Sequence, residues 1–292
     1  MAATGHLASS EAHLFASTSR LGAWLMSMSR TAGKRAHELT RTLATQPSVP
    51  PINRHLLKDQ INQNRLADRY LQLRLRLSGR ESASRLFEYN LHDEFLSARA
   101  ERKPTLLLFW HAGLMRGVFP ALSVFEPDIR LIKSERAFKT ESAGAPAFLT
   151  DQAESATALN NAKLLKSAIG HMREGNIVAN YLDGTSGGST VEVSFMGTNI
   201  ALRRGSAMLA TRAKARVFPA LTRWSTSQRR LQLLVGAQLD EPDADFAAES
   251  NSQAAEQALT QSYVRWFEQH LTTHPADIIS ATTYLISNPQ QI

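Results

Sequence analysis

Apolar and polar positions along this 292-residue chain fall into two regimes. Up to about residue 100 the apolar residues recur at helical spacings. Leu14, Leu21, Trp24, Leu25 and Met28 share one helical face, with Arg20 and Arg30 off it. Such a stripe is either core or an interfacial membrane helix. The Pro-rich stretch 46–53 breaks structure. Beyond it, Leu66, Tyr70, Leu73 and Leu77 predict a helix that Gly79 ends. A further helix is predicted over 83–99, with Leu86, Tyr89 and Leu96 facing inward.

After Pro104 the pattern changes. Short apolar runs alternate with helical segments. The runs 105–110 (TLLLFW), 129–133, 176–182 (NIVANYL), 217–221 and 231–239 read as strands, the first of them buried on both faces. Residues 157–174, 203–214 and 252–272 read as helices, with Gly175 placed where a helix stops. Strands alternating with helices predict an α/β fold: a mixed, mostly parallel sheet flanked by helices, with a helical N-terminal portion over 1–104 and the α/β domain over 105–292.

Charge sharpens that division. The first 104 residues hold 16 Lys/Arg against 9 Asp/Glu, and the rest holds 17 of each. The whole excess of +7 therefore lies in the first third. A basic helical surface suits an acidic partner, such as an anionic membrane surface or an acidic carrier protein. Nucleic acid fits poorly, since no recognised module or aromatic-interleaved basic patch is present. The chain has no cysteine, which excludes disulfides and a thiolate nucleophile. No stretch approaches the ~18 uninterrupted apolar residues of a membrane span, and the N-terminus lacks a signal-peptide pattern. These features suit a cytoplasmic protein, peripheral on the inner membrane if it meets a membrane at all.

Three clusters carry candidate chemistry. His111 directly follows the first buried strand, where α/β proteins place reacting groups. An imidazole titrates near neutrality and can take a proton from an alcohol. Gly113 would let a substrate approach the backbone. The second cluster is Asp183-Gly184-Thr185-Ser186-Gly187-Gly188, after the third strand, whose N–H groups suit a phosphate or an oxyanion. The third is Arg203-Arg204-Gly205 at the start of a helix, suited to phosphate. Each cluster also has a plain structural reading: a core histidine, a flexible turn, two solvated arginines.

Their order is more telling than any one of them. Strand–His111–x–Gly113, strand–Leu182-Asp183-Gly184-Thr185, Phe195-x-Gly197, Arg204-Gly205 and Val217-Phe218-Pro219-Ala220 together resemble the lysophospholipid acyltransferase superfamily, nearest its lipid A biosynthesis branch. The segment His274-Pro275-Ala276-Asp277-Ile278 is similar to that branch's C-terminal His-Pro segment. The resemblance implies an acyltransferase that moves an acyl group from an acyl carrier protein or coenzyme A thioester to a hydroxyl or amine of a lipid-like acceptor. It implies His111 as general base, with Asp183 beside it among the catalytic residues. It implies acceptor-phosphate binding at Asp183-Gly184-Thr185 and a basic site at Arg204. Gly113, Arg116, Ser186 and Arg203 are further substrate-binding candidates, with no metal and no tightly bound cofactor expected. Backbone N–H groups near Gly113 or in 184–188 would hold the oxyanion.

One position departs from the family pattern. Five residues after the histidine the family carries an acid; here it is Arg116. An acid orients the imidazole and favours its protonated form, and an arginine does the reverse. Three readings stay open. A remote carboxylate substitutes (Glu126, Glu135, Glu141 or Asp183); His111 acts alone on an already activated thioester; or the chain keeps only lipid or carrier binding. A serine hydrolase built on Ser186, with Asp240 or Asp243 and His270 or His274, is a further alternative. Against it, residues 189–195 read as extended, whereas a nucleophile elbow runs into a helix.

Overall fold

The structure is a computed structural model. It describes residues 61, 64, 84–114, 117–126, 128–132, 161–182, 189–225, 230–239 and 249–277. The stripe at 14–28, the Pro-rich stretch at 46–53 and the helix expected over 66–77 lie outside the described residues; Ile61 and Asn64 are helical.

Strand β1 (Phe87–Leu91) leads into helix α1 (Asp93–Ala100). Next come β2 (Thr105–Phe109), α2 (Val118–Phe125), β3 (Arg130–Ile132), α3 (Asn161–Arg173) and β4 (Ile177–Tyr181). The hairpin β5 (Thr190–Phe195) and β6 (Thr198–Arg203) precedes α4 (Gly205–Ala213). Strands β7 (Arg216–Ser225) and β8 (Arg230–Val235), the long α5 (Glu249–Thr273) and a 3₁₀ turn at Pro275–Asp277 follow.

Six strands make one sheet in the order β1-β8-β7-β2-β4-β3. All neighbouring pairs are parallel except β7 with β8. The expected fold class, a mostly parallel mixed sheet between helices, is what the chain adopts.

Strand β2 explains the architecture. All five of its residues are buried, because it lies between β7 and β4 and both its faces are covered. Leu107 and Phe109 point to a core shared with Phe95 and Ala98 of α1 and with Val118, Ala121 and Leu122 of α2. Leu106 and Leu108 point to the opposite core, filled by α3, α4, α5 and the β5–β6 hairpin. Trp110 extends that second core, with its ring 4.8 Å from Phe267, 5.3 Å from Phe195 and 6.1 Å from Tyr263. Each such aromatic pair is worth roughly 0.5–1.5 kcal/mol beyond area burial. The residue before His111 is therefore anchored deep in the fold.

The hairpin is held from the side by α5. Gln257 Nε2 donates to Glu192 O at 2.9 Å. Gln261 Oε1 accepts from Ser194 N at 2.8 Å, and its Nε2 donates to Ser194 O at 2.9 Å. The Glu268 carboxylate accepts from Met196 N. A row of helical side chains thus pairs with the outer edge of β5.

One expectation is corrected. Residues 83–99 are not one helix, because 87–91 form β1 and pair in register with 231–235 of β8. Helix α1 starts only at Asp93, after the N-cap His92. Parallel pairing along a sheet edge outweighs the local helical spacing of Leu86 and Tyr89. Strand β8 also stops at Val235, four residues short of the expected end; from there Gly236 N and Leu239 N still reach Pro219 O and Val217 O.

Candidate active site

The loop after β2 turns sharply and is tied down at each step. Ala112 N donates to Trp110 O at 2.7 Å, Gly113 N to Asp277 O at 2.7 Å and Leu114 N to Thr222 O at 2.8 Å. The Thr222 hydroxyl donates back to Leu114 O at 2.6 Å, so β7 grips Leu114 from both sides of its peptide. Gly113 has φ +59°, and a Cβ there would lie 2.2 Å from the Thr222 carbonyl oxygen. Close packing on β7 therefore accounts for the glycine. Its N–H is already spent on Asp277, so it is not open to an oxyanion.

His111 lies half-buried on this loop at the carboxyl end of β2. Its ring stacks on Tyr181, the last residue of β4, at 4.3 Å between centroids and 15° between planes. The register explains the contact: Phe109 is the sheet partner of Tyr181, so the chain leaving β2 passes over that ring. Tyr181 gave no sign as a site residue in the sequence; the strand alternation alone set its position.

Helix α4 starts at the same end of the sheet. Asn180 of β4 donates to Ser206 Oγ in its first turn at 2.8 Å. Arg204, the N-cap, bonds through Nε to the buried Glu256 of α5 at 2.6 Å. This hydrogen bond raises the Arg204 pKa above the ordinary guanidinium value. Glu256 had no signal in the sequence, since it reads as one more polar residue on a long helix. Arg203 ends β6, opposite Thr190.

Arg116, Asp183, Gly184, Thr185 and Ser186 lie outside the described residues. The residues flanking 183–188 are fixed: Leu182 N donates to Phe109 O at 2.8 Å, and Ser189 O accepts from Arg204 N at 3.3 Å. One end of that stretch therefore starts beside the strand that carries His111, and the other ends beside Arg204. Ser189 leads straight into β5, not into a helix, which is the wrong continuation for a nucleophile elbow at Ser186.

A second polar cluster backs the loop. His270 Nε2 lies 2.7 Å from Asp277 Oδ2, and both are buried. Asn64 Nδ2 donates to Ala276 O at 2.9 Å and to Asp277 Oδ1 at 3.2 Å. The His274 ring stacks on His270 at 4.8 Å. Burial first, then the positive charges of Arg223 and His270, hold His274 below the ordinary histidine pKa. Among the described residues no group of three His, Asp or Glu side chains is arranged to hold a metal.

Of the remote carboxylates considered for His111, Glu126 faces elsewhere. It pairs with Arg99 at 2.8 Å, and Arg99 also donates to Gly175 O just ahead of β4. That is the amino end of the parallel strands, opposite His111. Glu135 and Glu141 lie outside the described residues, as do Asp240 and Asp243.

The sheet thus carries a histidine at the carboxyl end of its central strand, and the arginine-capped helix α4 starts at the same end. The chain matches the family model for bacterial lipid A biosynthesis acyltransferases over residues 149–279. The match supports the lipid A acyltransferase branch of the acyltransferase superfamily, and with it acyltransferase activity on lipid-like acceptors. It takes in β4 to α5 and the His274–Asp277 segment; His111 precedes it. A search of curated proteins found no match. Among the described residues no helix is long and apolar enough to cross a membrane.

Proposed function

We propose that this protein transfers an acyl group from an acyl carrier protein or coenzyme A thioester to a hydroxyl or amine of a lipid-like acceptor, with His111 as general base. The observation that carries the reading is the His111 imidazole, half-buried at the carboxyl end of β2 and laid on Tyr181, on a loop whose backbone is bonded on both sides. The imidazole takes the acceptor proton as the acceptor oxygen or nitrogen attacks the thioester carbonyl. The tetrahedral intermediate then expels a thiolate, which recovers the proton from the imidazolium. Since the Gly113 N–H is occupied, the oxyanion donors in this reading are N–H groups of Gly184, Thr185 and Ser186. Arg203 and Arg204 would face an acceptor phosphate, with Glu256 fixing Arg204 in one orientation.

With Arg116 in the acid's place, either a remote carboxylate (Asp183, Glu135 or Glu141) stabilises the imidazolium, or the activated thioester lets His111 act without one. The basic first third would bring the protein to an anionic membrane surface or an acidic carrier on the cytoplasmic side. The test is mass spectrometry of lipids and acyl-carrier species formed by wild type and by His111→Ala. Transfer should fall on the order of 10²–10⁴-fold with the melting temperature little changed. Undiminished transfer by His111→Ala would remove the base from the mechanism.

A further inference from the structure

We propose that Asp277 is a positioning residue for His111, and that the buried His270–Asp277 pair is the lock that sets the loop after β2. This rests on the acyltransferase reading only for its effect on turnover. The Asp277 main-chain oxygen accepts the Gly113 N–H at 2.7 Å, two residues from His111. Its Oδ2 meets His270 Nε2 at 2.7 Å, and its Oδ1 accepts from Asn64 at 3.2 Å. The turn that carries Asp277 is only three residues long. Its orientation therefore comes from these side-chain bonds and from two backbone bonds, His274 N to His270 O and Asp277 N to His274 O.

His270 is itself fixed. It lies near the end of the 25-residue helix α5, four residues after Trp266, whose ring stacks on it at 6.0 Å and 18°. His274 covers the other side of the ring. The rigidity of α5, packed in the core through Tyr263, Phe267 and Leu271, is thus carried through His270 and Asp277 to the Gly113 peptide. An alanine at 277 could still offer a main-chain oxygen, but not the acceptor that ties the turn to His270. Productive geometry in active sites is held to about 0.5 Å, and a 1 Å misplacement costs roughly 10²-fold.

The experiment follows His111 without needing a substrate. Diethylpyrocarbonate carbethoxylates accessible imidazoles, and mass spectrometry of the peptide containing residue 111 gives the rate at that ring. In Asp277→Ala that rate should change several-fold, while Asp277→Asn, which keeps an acceptor oxygen, stays near wild type. His270→Ala should behave as Asp277→Ala does, and His270→Gln should restore the wild-type rate through its side-chain amide. In the transfer assay Asp277→Ala should lower kcat on the order of 10²-fold with KM little changed. A folded Asp277→Ala with the wild-type rate at His111 overturns the proposal. If Asp277→Ala does not fold, equal rates in His270→Ala and His270→Gln overturn it instead. A changed rate at His111 in a protein that transfers no acyl group from any donor supports the positioning role and discards the acyltransferase reading.

Discussion

Two histidines mark opposite ends of the same parallel strands, and their surroundings differ in kind. His171, at the amino end, is buried; its Nε2 lies 2.7 Å from Asp128 O and its Nδ1 3.3 Å from Asn176 Nδ2. Both ring nitrogens are satisfied by the neutral tautomer, with Nε2–H donating and Nδ1 accepting. Burial lowers its pKa below the ordinary value. Beside it, Arg99, Glu126 and the Gly175 carbonyl close on one another. His111, at the carboxyl end, is held differently: main-chain bonds fix its loop, and its half-buried ring rests on another ring. At one end a buried imidazole joins two segments through its nitrogens; at the other a half-buried imidazole sits on a loop tied to β7 and to the 275–277 turn. A strand-end histidine is thus not informative by itself, and what fixes its backbone is.

The comparison can be broken most sharply at Gly113. Gly113→Ala puts a Cβ 2.2 Å from the Thr222 carbonyl oxygen at φ +59°, and should cost about 3 kcal/mol or more. A melting temperature equal to wild type would mean that β7 does not grip the loop. Next in size, His171→Ala should cost about 1–2 kcal/mol by removing a buried ring and its bond to the Asp128 carbonyl. His111→Ala, at a half-buried ring, should lower the melting temperature less than His171→Ala does, and a similar loss in both would erase the distinction.

The acid limb of the stability curve tests the same point. His171 and His274 have folded pKa values below the ordinary 6.5. Below that pH the unfolded chain binds protons that the folded one does not, so their contribution is complete above it and lost as pH falls towards the folded values. Melting temperature should drop on going from pH 7 to 5, and His171→Ala should flatten part of the drop. The smallest effect is expected at Gly170, beside His171 in α3. A Cβ there meets nothing within 4 Å, so Gly170→Ala should stabilise by about 0.5–1 kcal/mol.

Much of the frame was legible because it rests on local signals. The unbroken apolar run of β2 announces a strand covered on both faces, and Gly175, at φ +85°, stops α3 where expected. Strand β1 was misread because FEYNL has no clean alternation; its burial is partial, and only its pairing with β8 makes it a strand. Strand β6 went unseen for a related reason: it exists through its hairpin partner. At the site, the order of His111, Arg204 and the His274–Asp277 segment was readable. Its assembly was not. Nothing local to Gly113 tells that its N–H meets a carbonyl at the far end of the chain, or that Glu256 waits for Arg204.

The row of Gln257, Gln261 and Glu268 along β5 has a consequence outside catalysis. A hairpin rim with idle amides and carbonyls invites a strand from another copy, and such recruitment starts many aggregates. Here the helix has already spoken for that rim at Glu192, Ser194 and Met196. Crowded copies of this protein would have no template on that margin to extend.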